Sequence, residues 1–126
     1  MSSDGIPSHQ RQFYRAPVDF PVTLESAGLE PLAARAVDLS GGGIRVAASE
    51  QIPSGETVTL RFRLPNTIGE MMVRGRAVLS FYEAKSVLYQ HGIAFTQVAS
   101  IDREAIVRFI HELQRRSLRD RPAERG

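Results

Sequence analysis

The chain contains no cysteine, and that absence removes disulfides, zinc ribbons, iron–sulfur clusters and thiol nucleophiles together. It also lacks long apolar runs: the longest covers a few residues, whereas a membrane-crossing helix needs about 20. No apolar stretch follows Met1-Ser2-Ser3-Asp4, so no secretory signal is expected and a cytoplasmic location is. The usual enzyme signatures are missing too. There is no G-x-x-x-x-G-K-[ST], no G-x-G-x-x-G and no G-x-S-x-G, so phosphoryl transfer and serine hydrolysis both lack parts. His9, His91 and His111 are scattered over a leader, a strand and a helix with no carboxylate companion at ligand spacing. No metal site is expected, and although a carboxylate pair for acid–base work stays open, no particular pair stands out.

What is present is ordinary globular material: 126 residues, 42% hydrophobic and 24% charged, enough for one domain with a core of its own. The formal net charge is +2, and residues 101–126 carry it, with seven arginines against five acids. Residues 1–100 hold nine cations and nine anions, which argues against a body that wraps a polyanion. Arginine outnumbers lysine fifteen to one, filling the chain with planar five-donor forks suited to phosphate and guanine.

Residues 1–10 show no hydrophobic period and read as an unstructured leader. Strict alternation then begins, with Val18, Phe20, Val22 and Leu24 on one face and Asp19, Pro21, Thr23 and Glu25 on the other, and Pro21 marks an edge or a bulge. An alanine-rich second strand over 32–39 ends in Ser40-Gly41-Gly42-Gly43, where glycine admits positive φ, and Ile44 and Val46 resume the alternation. Val58, Leu60, Phe62 and Leu64 alternate with polar residues in the clearest strand pattern of the chain. A long fifth strand over 71–81 puts Val73, Ala77, Leu79 and Phe81 inward, with Gly75 at a close approach of another strand, and 88–95 forms a sixth. From Ser100, a plausible N-cap, the period turns helical: Asp102 and Glu104 lie in the first turn and Ile106, Phe109, Ile110 and Leu113 make an apolar stripe. Residues 119–126 read as a disordered tail. The expected fold is mainly β, a six-stranded antiparallel barrel over about 17–98 with a C-terminal α-helix over about 101–118 packed on it.

Two features carry chemistry. In Arg11-Gln12-Phe13-Tyr14-Arg15 the arginines are four apart, which puts them about 5–6 Å apart on one helical face or about 13 Å apart on one side of an extended chain. Either geometry aims both forks at one ligand, and such pairs hold phosphates or the O6/N7 edge of guanine; the plainer alternative is two solvated arginines. In Asp38-Leu39-Ser40-Gly41-Gly42-Gly43 the carboxylate can accept from two adjacent donors, Ser40 can bond a phosphate or base edge, and the glycines allow close approach. Its alternative is a glycine turn whose Asp38 and Ser40 bond their own backbone.

In this order, ahead of six strands and a helix, the two features resemble the PilZ domain, a bacterial receptor module for cyclic di-GMP. The family pattern is R-x-x-x-R followed by D/N-x-S-x-x-G, and Arg11, Arg15, Asp38, Ser40 and Gly43 fill every specified position. The resemblance covers residues 11–118, with the arginine motif at 11–15. It implies that Arg11 and Arg15 grip phosphates and guanine Hoogsteen edges while Asp38, Ser40 and Gly43 receive the other guanine edge and phosphate oxygens. Many ligand-binding relatives carry a further arginine where this chain has Gln10, which makes Gln10 a weaker candidate contact and bears on whether one nucleotide or an intercalated dimer binds. The resemblance implies a receptor without enzymatic activity whose leader orders on binding, with no cofactor beyond the cyclic di-GMP ligand. It also implies a protein partner downstream, in motility, polysaccharide export, adhesion or biofilm formation. A monomer or weak dimer is expected, with no membrane and no nucleic acid as partner. The rival readings are a ligand-independent PilZ-type adaptor and a nucleic-acid binder using Arg115, Arg116, Arg119, Arg121 and Arg125, a run that Asp120 and Glu124 interrupt.

Overall fold

The computed structural model describes residues 14–65, 67 and 69–119. Six strands, β1 (Ala16–Glu25), β2 (Leu32–Ser40), β3 (Gly43–Ala48), β4 (Thr57–Phe62), β5 (Met71–Glu83) and β6 (Leu88–Gln97), precede one helix, α1 (Ser100–Arg119). The strands close a barrel in the order β1-β2-β3-β6-β5-β4, and every neighbouring pair is antiparallel. Closure gives every strand a partner on both sides over part of its length, which removes the free edges that an open sheet exposes. Pro21 pairs with Arg35 of β2 and lies one residue outside the β1–β4 ladder, where β1 has a partner on one side only.

Period-two alternation fills the barrel. Phe20, Val22, Leu24, Ala36, Val46, Val58, Leu60, Phe62 and Val73 are buried in one continuous cluster, which Ile106, Phe109 and Ile110 of α1 join from outside. The helical stripe predicted from the sequence thus meets the barrel, and Leu113 packs partly buried beside it. No helix among the described residues is long and apolar enough to cross a membrane.

Two expectations need correction. Leu79 and Phe81 do not face inward; they are 47% and 40% exposed. The β5–β6 register shifts between Ala77 and Leu79, and the extra residue reverses the parity of all that follows. Nor is Ser100 the residue before the first helical turn. It is the first helical residue, because the Ala99 carbonyl already accepts the Arg103 N–H at 2.9 Å, a role any residue's backbone can fill. Gly75 behaves as expected: a Cβ there would lie 2.6 Å from Ile93 Cγ2 and 2.7 Å from the Ala94 carbonyl oxygen. His91 is wholly buried in the barrel, with Nε2 donating to the Glu50 carbonyl at 2.9 Å. Exposed His111 is solvated on α1. His9 lies outside the described residues, as do residues 1–10 and 120–126.

Candidate functional site

Register builds the site on the outer wall of the barrel. Asp38 of β2 pairs with Arg45 of β3, Arg45 with Gly92 of β6, and Gly92 with Leu79 of β5. These four residues therefore form one row of outward positions across four strands. The ladder shifts register at both ends of the row, between Ala36 and Asp38 on β2 and between Ala77 and Leu79 on β5. Bulges of this kind re-aim side chains, and here the second turns Val78 and Leu79 to the outside together.

An open groove of about 290 Å³ follows the row, lined by Arg15, Asp38, Arg45, Val78, Leu79 and the glycines 42, 43 and 92 among others. Its floor is low because residues there have little or no side chain. At Gly92 a Cβ would come within 3.2 Å of the Leu79 Cβ, so glycine lets Leu79 lie against the sheet. One wall is apolar and the other charged, a combination that suits a flat heteroaromatic ligand bearing anionic groups.

Asp38 anchors the charged wall. Its side chain is 11% exposed; Oδ1 accepts from Arg15 Nη1, and Oδ2 lies 3.2 Å from Arg45 Nε. Arg15 sits just before β1, and the pairing of Ala16 with Leu39 and Pro17 with Asp38 carries it to the carboxylate. Residues 23 positions apart, one from each sequence motif, thus meet as an ion pair, with the Arg15 side chain still 56% exposed.

The buried Ser40 hydroxyl accepts the Gly42 N–H at 3.2 Å and donates to the Gly43 carbonyl at 3.3 Å, shaping the loop from within. Gly43 is required for room, not handedness. Among the described residues the glycines with positive φ are Gly28 and Gly55, whereas a Cβ on Gly43 would sit 2.6 Å from the Ile93 carbonyl oxygen. The far side of the loop is tied to the helix, since Arg103 Nη1 donates to the Gly41 carbonyl at 2.9 Å. Arg11 and Gln10 lie outside the described residues.

The structure thus brings Arg15, Asp38, Ser40 and Gly43 to one place and adds Arg45, Val78, Leu79 and Arg103, which the motifs do not contain. Arg45 had a signal, since alternation from inward Ile44 turns it outward. Val78 and Leu79 depend on a bulge and Arg103 on a contact 62 residues away in sequence.

The PilZ domain family model matches residues 9–112. No curated protein matches the chain. Among solved structures it is similar to the inhibitor of motility of Bacillus subtilis (MotI/DgrA), at 23% identity and a TM-score of 0.73 over 89% of this chain and 53% of that one. It is also similar to the PilZ domain of YcgR from Escherichia coli, solved with c-di-GMP, at 18% identity and a TM-score of 0.63 over 86% and 94%. A third is the Borreliella burgdorferi PlzA protein in complex with c-di-GMP, at 18% and 0.62 over 85% and 43%. The chain spans about half the length of the Bacillus protein, and at these identities the likeness is one of fold.

Proposed function

The chain belongs to the PilZ domain family, and from that premise we propose that it is a receptor for cyclic di-GMP, a binder and not a catalyst. The observation that carries the reading is the convergence of Arg15 and Asp38 in one groove on the barrel wall. YcgR and PlzA, which share this fold, were solved with the same nucleotide.

The chemistry of the groove suits the ligand. Cyclic di-GMP offers two phosphates and two guanines. A guanidinium fork binds either a phosphate or the O6/N7 edge bidentately, the role assigned to Arg15 and, on motif spacing, to Arg11. The Asp38 carboxylate faces the opposite edge, where guanine N1 and N2 present two adjacent donors. Val78 and Leu79 supply an apolar surface for a ring face. Gly43 keeps the loop low, and Ser40 holds it in shape. Without ligand Arg15 and Asp38 satisfy each other, so the nucleotide exchanges that pair for its own contacts. The exchange draws residues 10–15 across the barrel wall and creates a surface that a protein partner reads, with motility as the output favoured by the Bacillus neighbour.

The same ion pair favours a second reading, since it leaves the site satisfied without nucleotide: a ligand-independent adaptor. Isothermal titration separates the two. Cyclic di-GMP should release heat with the wild type and none with Arg11→Ala or Arg15→Ala, GTP should be inert, and hydrogen exchange over residues 1–15 should slow with ligand. No heat and no change in melting temperature with the wild type would overturn the receptor reading and favour the adaptor, whose protein partner would then be sought.

A further inference from the structure

Strand β3 places in the groove a cation that neither motif includes. Arg45 stands opposite Asp38 in register, with Nε 3.2 Å from Asp38 Oδ2, while Arg15 occupies Oδ1. One carboxylate therefore stands between two guanidinium groups of different character. Arg15 lies on the chain leading into β1, whereas Arg45 belongs to a strand paired on both sides, with β2 and with β6. Arg45 Nε is sealed from solvent with no hydrogen-bond partner among the described residues, although the side chain as a whole is 42% exposed. The stem is thus fixed beside Asp38 while the rest of the side chain reaches the groove surface.

We propose that Arg45 is a positioning residue of the nucleotide site, holding the Asp38 carboxylate toward the ligand once Arg15 has left Asp38 for the nucleotide. This rests on the cyclic di-GMP reading. A bidentate grip on a phosphate or a guanine edge turns the plane of the Arg15 fork toward the ligand, and in this proposal Nη1 gives up Oδ1 for it. Its departure would leave a nearly buried carboxylate without charge compensation, a state that carries a large penalty. Arg45 removes the conflict. With Oδ2 still beside a guanidinium, Oδ1 becomes a free acceptor for guanine N–H groups at the moment of exchange. A two-arginine, one-aspartate cluster can thus pass one arginine to the ligand and keep the other.

The test is a double-mutant cycle read by isothermal titration with cyclic di-GMP, comparing wild type, Arg45→Ala, Asp38→Ala and the double variant, with Arg15→Ala alongside. Arg45→Ala is expected to weaken binding by about tenfold or more, yet by less than about threefold when Asp38 is already alanine. An affinity within about twofold of wild type, or an equal loss in both backgrounds, overturns the proposal. If Arg15→Ala still abolishes binding in that case, the receptor reading stands. No heat from the wild type overturns both. If Arg45→Ala lowers the melting temperature of the free protein, Arg45→Lys decides. It keeps the charge and most of the stem, so recovered affinity supports the positioning role, and lost affinity at a wild-type melting temperature refutes it.

Discussion

A methyl group added at Gly43 has nowhere to go, because the nearest atom is the backbone carbonyl oxygen of Ile93, 2.6 Å away and held in the β3–β6 ladder. Gly43→Ala should therefore destabilise the free protein by about 1–3 kcal/mol in denaturant unfolding and also weaken nucleotide binding, since the strand shift moves the loop. Asp38→Ala differs, because it removes a groove contact without touching the core; the expected loss is about 1–3 kcal/mol in cyclic di-GMP affinity. Unchanged affinity would reduce Asp38 to an ion-pair partner in the free protein. At this scale Arg15 and Asp38 were legible as a pair of motifs. Their direct contact was not, nor was the part played by Arg45, because no spacing rule says which strands become neighbours.

The β5–β6 hairpin shows what single elements decide. Val87 in its turn has φ 61°, a left-handed conformation that a β-branched side chain adopts at a cost of about 1–2 kcal/mol. Val87 is exposed and its N–H bonds the Glu83 carbonyl at 2.9 Å, so Val87→Asn keeps the turn and should raise the unfolding free energy by about 0.5–1 kcal/mol, seen as a higher unfolding midpoint. A fall in the midpoint would mean that the Val87 side chain holds the turn in place. Further along β5, Phe81→Ser should leave stability within about 0.5 kcal/mol of wild type, as expected for a surface position. A core-sized loss would restore the inward assignment that plain alternation predicts. Alternation identified the strand and its first half correctly, with Val73 and Ala77 buried. It failed beyond Ala77 because one extra residue reverses the two faces, and no residue pattern in 71–81 announces the insertion.

Barrel closure is a property of the whole molecule, and Phe62 sits at the seam. It pairs with Val22 across β1 and β4, stacks on Phe20 with ring centroids 5.6 Å apart, and is 2% exposed. Phe62→Ala should lower the unfolding free energy by about 3–5 kcal/mol, and a barrel closed by this seam should unfold in one transition. Helix α1 belongs to the same unit through Ile106, Phe109 and Ile110, and through Arg103 it reaches the loop that shapes the groove. The sequence by itself determined the strand count, the helix and its apolar stripe, and the residues of both motifs, because each is written in local periodicity or in residue type at fixed spacing. Only the tertiary structure decided the outward row Asp38–Arg45–Gly92–Leu79, the exposed Val78 and Leu79, and the link from Arg103 to Gly41. These depend on strand order, on register and on two bulges, and all three are set by how the whole core packs when the barrel closes.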